Sequence, residues 1–295
     1  MKIWIGNLGK YNEGILKGGW LDLPTAKENI DKFLRETVGL QLTPKEVDEA
    51  LAKDGVCYEE WMINDIETDL ECYDYFEYES PYKLNLLAAF EEKANNIELI
   101  NAYCEEHSIS DIEGICNVIL QEQYIDYFHT SYDSFLSDYE LMAYAYIENV
   151  YYDNIPEDLV ESNFDYEALG RDLNIEYSQY DDDMPETAGE YYCGDENATD
   201  REIGEAYVEE VGFDGISEPE NYFNYEQFGR ELDIDGFSVV KNDYGDQIVL
   251  FPDSDVNESC YSLDELKEEV SEYVESNEEV EVIINSTEHD ITDNY

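Results

Sequence analysis

FDYEALGRDLNI at Phe164–Ile175 and FNYEQFGRELDI at Phe223–Ile234 are two copies of one sequence pattern. Each copy follows a second matched segment, AYAYIENV at Ala143–Val150 or GEAYVEEV at Gly204–Val211. Apolar residues recur at helical spacing in these segments. Each copy therefore predicts a helix, a short connection and a second helix whose aromatic and leucine side chains face inward. The chain uses one module twice.

The region before the repeat has a different pattern. Lys2–Leu8 (KIWIGNL) and Trp20–Leu23 (WLDL) predict two short strands around a Gly-rich turn, and Tyr58–Asp65 predicts a third. From about residue 83 to 150 the apolar residues recur at helical spacing, which predicts a mainly helical region. Phe237–Val240 and Gln247–Phe251 flank a turn and predict a hairpin.

These elements predict an α+β fold, a multi-domain chain of small sheet and helix modules with a helical middle region; the family resemblance given below implies that it is elongated. The tail contains a predicted helix at Ser262–Ser276, begun by a capping box of Ser262 and Glu265, and a closing strand at Val280–Ile284. Residues 180–200 indicate a linker. The predicted parts are an α+β domain at 1–80, an acidic helical domain at 81–140, the two modules at 141–180 and 201–251, and an acidic helix–strand tail at 252–295.

The charge is large and unevenly placed. The 295 residues contain 75 Asp and Glu against 15 Lys and Arg, a formal net charge of −60. Residues 1–53 are balanced, with eight bases and eight acids, and no Lys or Arg lies between Lys93 and Arg171. Self-repulsion of this size destabilises a compact state, whereas a partner with a basic groove would favour it. The lone bases Arg171 and Arg230 lie among acids, which predicts local salt bridges.

Carboxylates at this density can take the place of DNA phosphates. B-DNA carries one charge per about 1.7 Å of axis, so 60 charges correspond to about 100 Å of duplex. Asp65, Glu67, Asp69 and Glu71 alternate with less polar residues, which predicts one strand face with carboxylates about 6 to 7 Å apart. The predicted phosphate-mimicking, partner-binding residues are Glu59, Glu60, Asp65, Glu67, Asp69, Glu71, Asp74, Glu77, Glu79, Glu105, Glu106, Asp111, Glu113, Asp126, Asp133, Asp138, Glu140, Glu148 and Asp153.

Five segments resemble the ArdA antirestriction proteins of phages and conjugative elements: Ile3–Gly14 (IWIGNLGKYNEG), Gly19–Pro24 (GWLDLP), Tyr58–Glu67 (YEEWMINDIE), Met142–Glu148 (MAYAYIE) and Phe164–Leu173 (FDYEALGRDL). The resemblance implies an elongated, three-domain, dimeric mimic of bent B-form DNA that occupies the DNA-binding surface of type I restriction-modification enzymes. Met142–Glu148 and Ile203–Glu209 match the family's antirestriction motif, near its dimer-forming region. The resemblance thus implies oligomer contacts at Tyr144, Tyr146, Ile147, Tyr207 and Val208.

The sequence departs from that family pattern in two places, because it carries the last module twice and adds an acidic tail. A second hypothesis is therefore a phage inhibitor that wraps another DNA-cleaving defence complex, such as the Gabija nuclease and helicase assembly. A remote third is an acidic interaction protein without DNA mimicry. Self-association as a homodimer or higher oligomer is expected in the first two.

Catalysis has little support in the residues. The three His residues show no metal-ligand spacing, and with 75 acids any carboxylate pair arises by chance. Gly6–Gly14 lacks the glycine spacing of a phosphate loop, and Glu231–Asn242 lacks the final Glu of a calcium loop. We expect no enzymatic activity, no cofactor and no metal site.

The same composition bears on the surroundings of the protein. No basic patch lies outside the balanced N-terminal residues, so direct nucleic-acid binding is not expected. The six Cys residues form no Cys-x-x-Cys pair, which indicates reduced thiols. The start of the chain has no signal-peptide pattern, and no run of about 18 apolar residues occurs. We expect a protein of the host cytoplasm that binds no membrane.

Overall fold

A computed structural model describes residues 1–130, 135–152, 154–178, 187–241, 247–252 and 254–274. It divides the chain into two compact units. The first, here the N-terminal unit, comprises Met1–Asp126 and the described part of Asp253–Tyr295. The second, here the repeat unit, is Tyr127–Pro252. The predicted α+β class is confirmed, while the five-part division stays a prediction.

A three-stranded antiparallel sheet forms one part of the N-terminal unit. Its strands are β1 (Lys2–Asn7), β2 (Gly18–Asp22) and β3 (Trp61–Glu67), in the order β2-β1-β3. The three predicted strands are therefore confirmed. Ile3 and Ile5 of β1 are fully buried, because alternate residues of a strand point to the same face.

Helices surround this sheet and fill the middle region. They are α1 (Leu8–Asn12), α2 (Lys27–Phe33), α3 (Pro44–Asp54), α4 (Pro81–Glu91), α5 (Ile97–Glu106) and α6 (Ile112–Leu120), with a π-helical turn at Leu34–Val38. Helix α4 is buried almost all round, since Leu86, Ala88 and Ala89, which point to different sides of the helix, are at most 2% exposed. A helix that is apolar on every side belongs inside a core.

The tail returns to the N-terminal unit. The Asn117 side chain of α6 donates to the Tyr261 carbonyl at 2.8 Å and accepts from the Tyr261 amide at 2.9 Å. Gln121 makes the same pair of bonds with the backbone of Asn257. Helix α12 (Leu263–Val274) then packs on α4 and α6. The predicted tail helix is confirmed over this range, and the predicted strand at 280–284 lies outside the described residues.

The repeat unit combines helices with a second antiparallel sheet. Its strands β4 (Tyr127–Thr130), β5 (Ser238–Lys241) and β6 (Gln247–Leu250) have the order β4-β6-β5, which confirms the predicted hairpin strands. The predicted turn between them lies outside the described residues. The helices are α7 (Asp138–Tyr146), α8 (Glu157–Ser162), α9 (Tyr166–Tyr177), α10 (Asp200–Val211) and α11 (Tyr225–Ile234).

The two copies each supply the predicted pair of helices, α7 and α9 in the first and α10 and α11 in the second. The connection in the first copy contains a further helix, α8, which was not predicted. The main helix pairs form between the copies: α7 packs on α11, and α10 packs on α9. The inward-facing residues of both copies therefore share one core.

Candidate acidic partner-binding surface

The first group of predicted carboxylates follows β3. Asp65, Glu67, Asp69 and Glu71 are all exposed, whereas the residues between them are more buried, down to 1% exposure at Leu70. The predicted continuous strand is nevertheless wrong after Glu67, where β3 ends. The reason is the nearly buried Glu91 of α4, whose carboxylate accepts hydrogen bonds from the Thr68 hydroxyl and the Asp69 amide. These bonds turn the chain while the alternating exposure continues.

The acidic residues on either side of β3 lie on backbone that is held by hydrogen bonds. The Glu60 carbonyl accepts from the Leu8 amide at 3.1 Å, and the Glu77 carbonyl accepts from the Ile63 amide at 2.6 Å. The side chains of this group are exposed except for Glu79, which is half-buried and lies 3.5 Å from the Lys83 amine. The exposed members are Glu59, Glu60, Asp74 and Glu77.

The helical carboxylates of the N-terminal unit differ in what they do for their helices. Asp111 accepts from the Gly114 amide at 3.0 Å and caps α6, and Glu113 lies in its first turn, so both favour the helix. Glu105 and Glu106 end α5, where negative charge opposes the helix dipole. Both are exposed, as is Asp126. Helix stability therefore does not explain Glu105 and Glu106.

In the repeat unit, two predicted residues have structural partners. Asp138 forms an ion pair with Lys241. Glu140 completes a capping box with Ser137, whose amide donates to the carboxylate at 2.9 Å. Glu148 is exposed, and Asp133 and Asp153 lie outside the described residues.

The repeat unit has few cations with which to neutralise its acids. Residues 127–252 contain 33 Asp and Glu against four Lys and Arg, a net charge of −29. The predicted local salt bridges are confirmed, since Arg171 lies 3.8 Å from Glu167 and Arg230 lies 2.6 Å from Glu226. Arg201 is 2.8 Å from Glu205. The Glu226 carboxylate accepts a hydrogen bond from the Arg230 side chain, and this bond raises the pKa of Arg230. Each base is thus already beside an acid of its own chain.

The residues assigned to oligomer contacts by the family motif pack inside the repeat unit. The rings of Tyr144 and Tyr225 are stacked with centroids 4.0 Å apart. Tyr146 makes edge contacts with Phe128, Tyr151, Phe228 and Phe237, and the Tyr207 ring lies 5.2 Å from that of Tyr192. Ile147 is buried, and Val208 packs against the same core. Contacts of these five residues with a second chain stay a prediction.

The described part of the chain lacks two other kinds of feature. Among its residues, no three His, Cys, Asp or Glu side chains converge to hold a metal ion. None of its helices combines the length and the hydropathy needed to cross a membrane.

A family model described as antirestriction protein (ArdA) matches residues 3–184 of the chain. The chain belongs to the ArdA antirestriction family. The match covers more than half of the chain and includes the first module, whereas the second module and the tail lie beyond it. A search of curated proteins finds no match. The predicted family is confirmed, and this ArdA-family chain is an antirestriction protein.

The repeat points to acidic positions that the predicted set leaves out. Within the matched segments, three positions are acidic and exposed in both copies: Glu148 and Glu209, Glu167 and Glu226, Asp172 and Glu231. Only Glu148 is among the predicted residues. Alignment of the two copies is the sequence signal that identifies the rest.

Proposed function

We propose that this ArdA-family protein inhibits a type I restriction-modification enzyme by occupying the surface on which that enzyme binds DNA. The exposed carboxylates take the place of phosphates and are contacted by Lys and Arg of the target. The observation that carries the proposal is the run of exposed acids on hydrogen-bonded backbone from Glu59 to Glu77, together with the absence of Lys and Arg between Lys93 and Arg171.

Positioning supports mimicry over charge alone. The backbone of Glu60 is bonded to Leu8 at the start of α1 and that of Glu77 to Ile63 of β3, and Asp69 is held through Glu91 of α4. Carboxylates on a fixed backbone lose little loop entropy on binding, whereas a disordered acidic segment must be ordered at that cost. Opposite charge across the interface also speeds association, and salt weakens the attraction.

Competition with DNA tests the proposal. A purified type I enzyme is incubated with labelled duplex and increasing protein at several salt concentrations. We expect displacement of the duplex, with an inhibition constant that rises with salt. Replacing Asp65, Glu67, Asp69 and Glu71 by their amides should weaken inhibition progressively, about tenfold for each 1.4 kcal/mol of lost binding energy.

A matched variant controls for net charge. Glu36, Asp48, Glu49 and Asp54 are four exposed acids within or directly after the balanced first 53 residues, and their replacement by amides removes the same charge. This control should inhibit like the wild type. Equal losses in the two variants would show that net charge alone acts. Full occupancy of the enzyme by duplex in the presence of excess protein would contradict the proposal.

A second candidate target follows from the extent of the family match, which ends at residue 184 before the second module. The extra module is surface that could engage another DNA-cleaving defence complex, such as a Gabija-type nuclease and helicase assembly. Inhibition of that complex in the same assay, with no effect on a type I enzyme, would favour this candidate.

A further inference from the structure

The two copies contact each other through equivalent residues, in an arrangement with two-fold symmetry. Phe164 and Phe223 occupy the same position in the two copies and form an isolated antiparallel bridge. The residue after each Phe donates its amide to the carbonyl of the residue before the other Phe, at 2.7 Å in both directions: Asp165 to Tyr222 and Asn224 to Asn163. Identical positions facing each other reciprocally are what a two-fold axis produces.

Equivalent glycines repeat this symmetry at the helix contacts. Gly170 of α9 and Gly229 of α11 occupy the same position in the two copies. A Cβ on Gly170 would overlap the Asp200 carbonyl oxygen at the start of α10, and one on Gly229 would overlap the Tyr139 carbonyl oxygen in the first turn of α7. Each second helix therefore approaches the other copy's first helix at the same place, and closely enough to require glycine.

The helix caps agree as well. The Asp165 side chain accepts from the Ala168 amide at the start of α9, and the Asn224 side chain accepts from the Gln227 amide at the start of α11, both at 2.9 Å. The side-chain core is also shared, because it contains buried residues of both copies: Met142, Ile147, Phe164 and Leu173 from the first, and Ile203, Phe223, Phe228 and Leu232 from the second.

We propose that the repeat unit is an internal pseudo-dimer, in which each copy is the partner that the other copy's helices require. The paired helix faces, including Tyr144 and Tyr225, are closed to a second chain, and any self-association of the protein uses surface outside them. The covalent connection favours this arrangement, because one copy sees the other at an effective concentration of about millimolar.

Cross-linking with isotope labels tests whether the pairing lies within one chain. Tyr144→Cys and Tyr225→Cys are introduced into full-length protein from which the six native Cys have been removed. Light and ¹⁵N-labelled chains are unfolded together, refolded as an equal mixture and treated with a short bis-maleimide. We expect linked peptides that are all light or all heavy. Mixed-isotope links between these positions would show exchange between chains and overturn the proposal.

The repeat supplies its own second cross-linking pair. Tyr166 and Glu205 are the positions equivalent to Tyr225 and Tyr144, so Tyr166→Cys with Glu205→Cys should also give unmixed links. Absence of links at both pairs would overturn the pairing itself. Each single-Cys variant should give none of these links within a chain.

The wild-type chain provides a measurement independent of the variants. Light and ¹³C-labelled wild-type chains are unfolded together and refolded as an equal mixture. In a ¹³C-filtered NOE experiment, a cross-peak between the Tyr144 and Tyr225 rings should arise within chains and not between labelled and unlabelled ones. An inter-chain cross-peak would contradict the proposal even if the Cys variants failed to fold.

Discussion

The first 53 residues and the repeat unit both bury an apolar core, but the first region is balanced in charge and the second is strongly negative. In the former, eight bases balance eight acids, and Arg35 contacts both Glu46 at 2.9 Å and Asp31 at 3.6 Å. The repeat unit carries 33 acids against four bases and still buries a continuous core of aromatic and aliphatic residues. The difference teaches that the repeat unit folds in spite of the repulsion among its acids, because apolar burial outweighs that repulsion.

Removal of the ring at the centre of the repeat unit should have the largest effect. Phe164 is 6% exposed and contacts the rings of Tyr166, Phe213 and Tyr222. We expect Phe164→Ala to lower the free energy of unfolding by about 3 to 5 kcal/mol, measured by hydrogen exchange of the α9 and α11 amides. Phe135→Ala is the control, because Phe135 is 90% exposed, and it should leave protection unchanged. Equal effects would mean that apolar burial does not carry this unit.

Forcing the paired helices apart should have the next effect. Gly170→Leu places a side chain against the backbone of α10. We expect it to lower the free energy of unfolding by about 2 kcal/mol, measured by the same hydrogen exchange. Glu167→Leu adds an equal side chain to an exposed position of the same helix and should cost far less. Protection of β1 and β3 in the N-terminal unit should not change. A harmless Gly170→Leu would contradict the close approach of α9 and α10.

Loss of the capping box of α10 should lower the free energy of unfolding less than either of these substitutions. Its Glu202 carboxylate accepts from the Thr199 amide at 2.8 Å, a bond that lowers the pKa of Glu202 below its ordinary 4.5. Thr199→Ala should cost about 1 kcal/mol in urea unfolding, and Thr199→Ser should restore stability. The stabilisation from ionised Glu202 is present above its ordinary pKa and is lost as pH falls through the lowered pKa. The stability difference between wild type and Glu202→Gln should therefore close in acid; a constant difference would contradict this.

A change of salt concentration should have the smallest effect on hydrogen-exchange protection. The experiment compares the repeat unit directly with the first 53 residues. Raising ionic strength from 0.01 to 0.1 M shortens the Debye length from about 30 to about 10 Å. We expect hydrogen-exchange protection to rise in α9, α10 and α11 and to change less in β1 and β2, because only the former lie in a field of net charge −29. Sucrose, which is uncharged, should raise the protection of the two sets of elements alike. Identical responses to salt would remove the contrast.

Local pattern predicted the elements better than their partners. The alternating apolar residues of Lys2–Leu8 and the helical spacing of Phe164–Ile175 and Phe223–Ile234 were sufficient for β1, α9 and α11. The pairing of helices between copies was not predictable, because two copies with the same apolar stripe offer each first helix two equivalent second helices. Contacts distant in the chain made that choice.

The candidate site shows the same division. Alternation correctly predicted that Asp65, Glu67, Asp69 and Glu71 share exposure, since it depends only on which side chains are apolar. The end of β3 was missed because it depends on Glu91, which is 22 residues from Asp69 in sequence and accepts its amide. A buried Glu on a helix leaves no signature that distinguishes it from an exposed one.

The return of the tail to α6 fixes the order in which the protein can be completed on the ribosome. Residues 127–252 are an insertion whose entry and exit strands pair, with Tyr127 opposite Leu250. The N-terminal unit is complete only after residues 254–274 have been synthesised, because Asn117 bonds to Tyr261 and α4 packs against α12. The inserted domain, although translated later than most of its host, can reach its final form first.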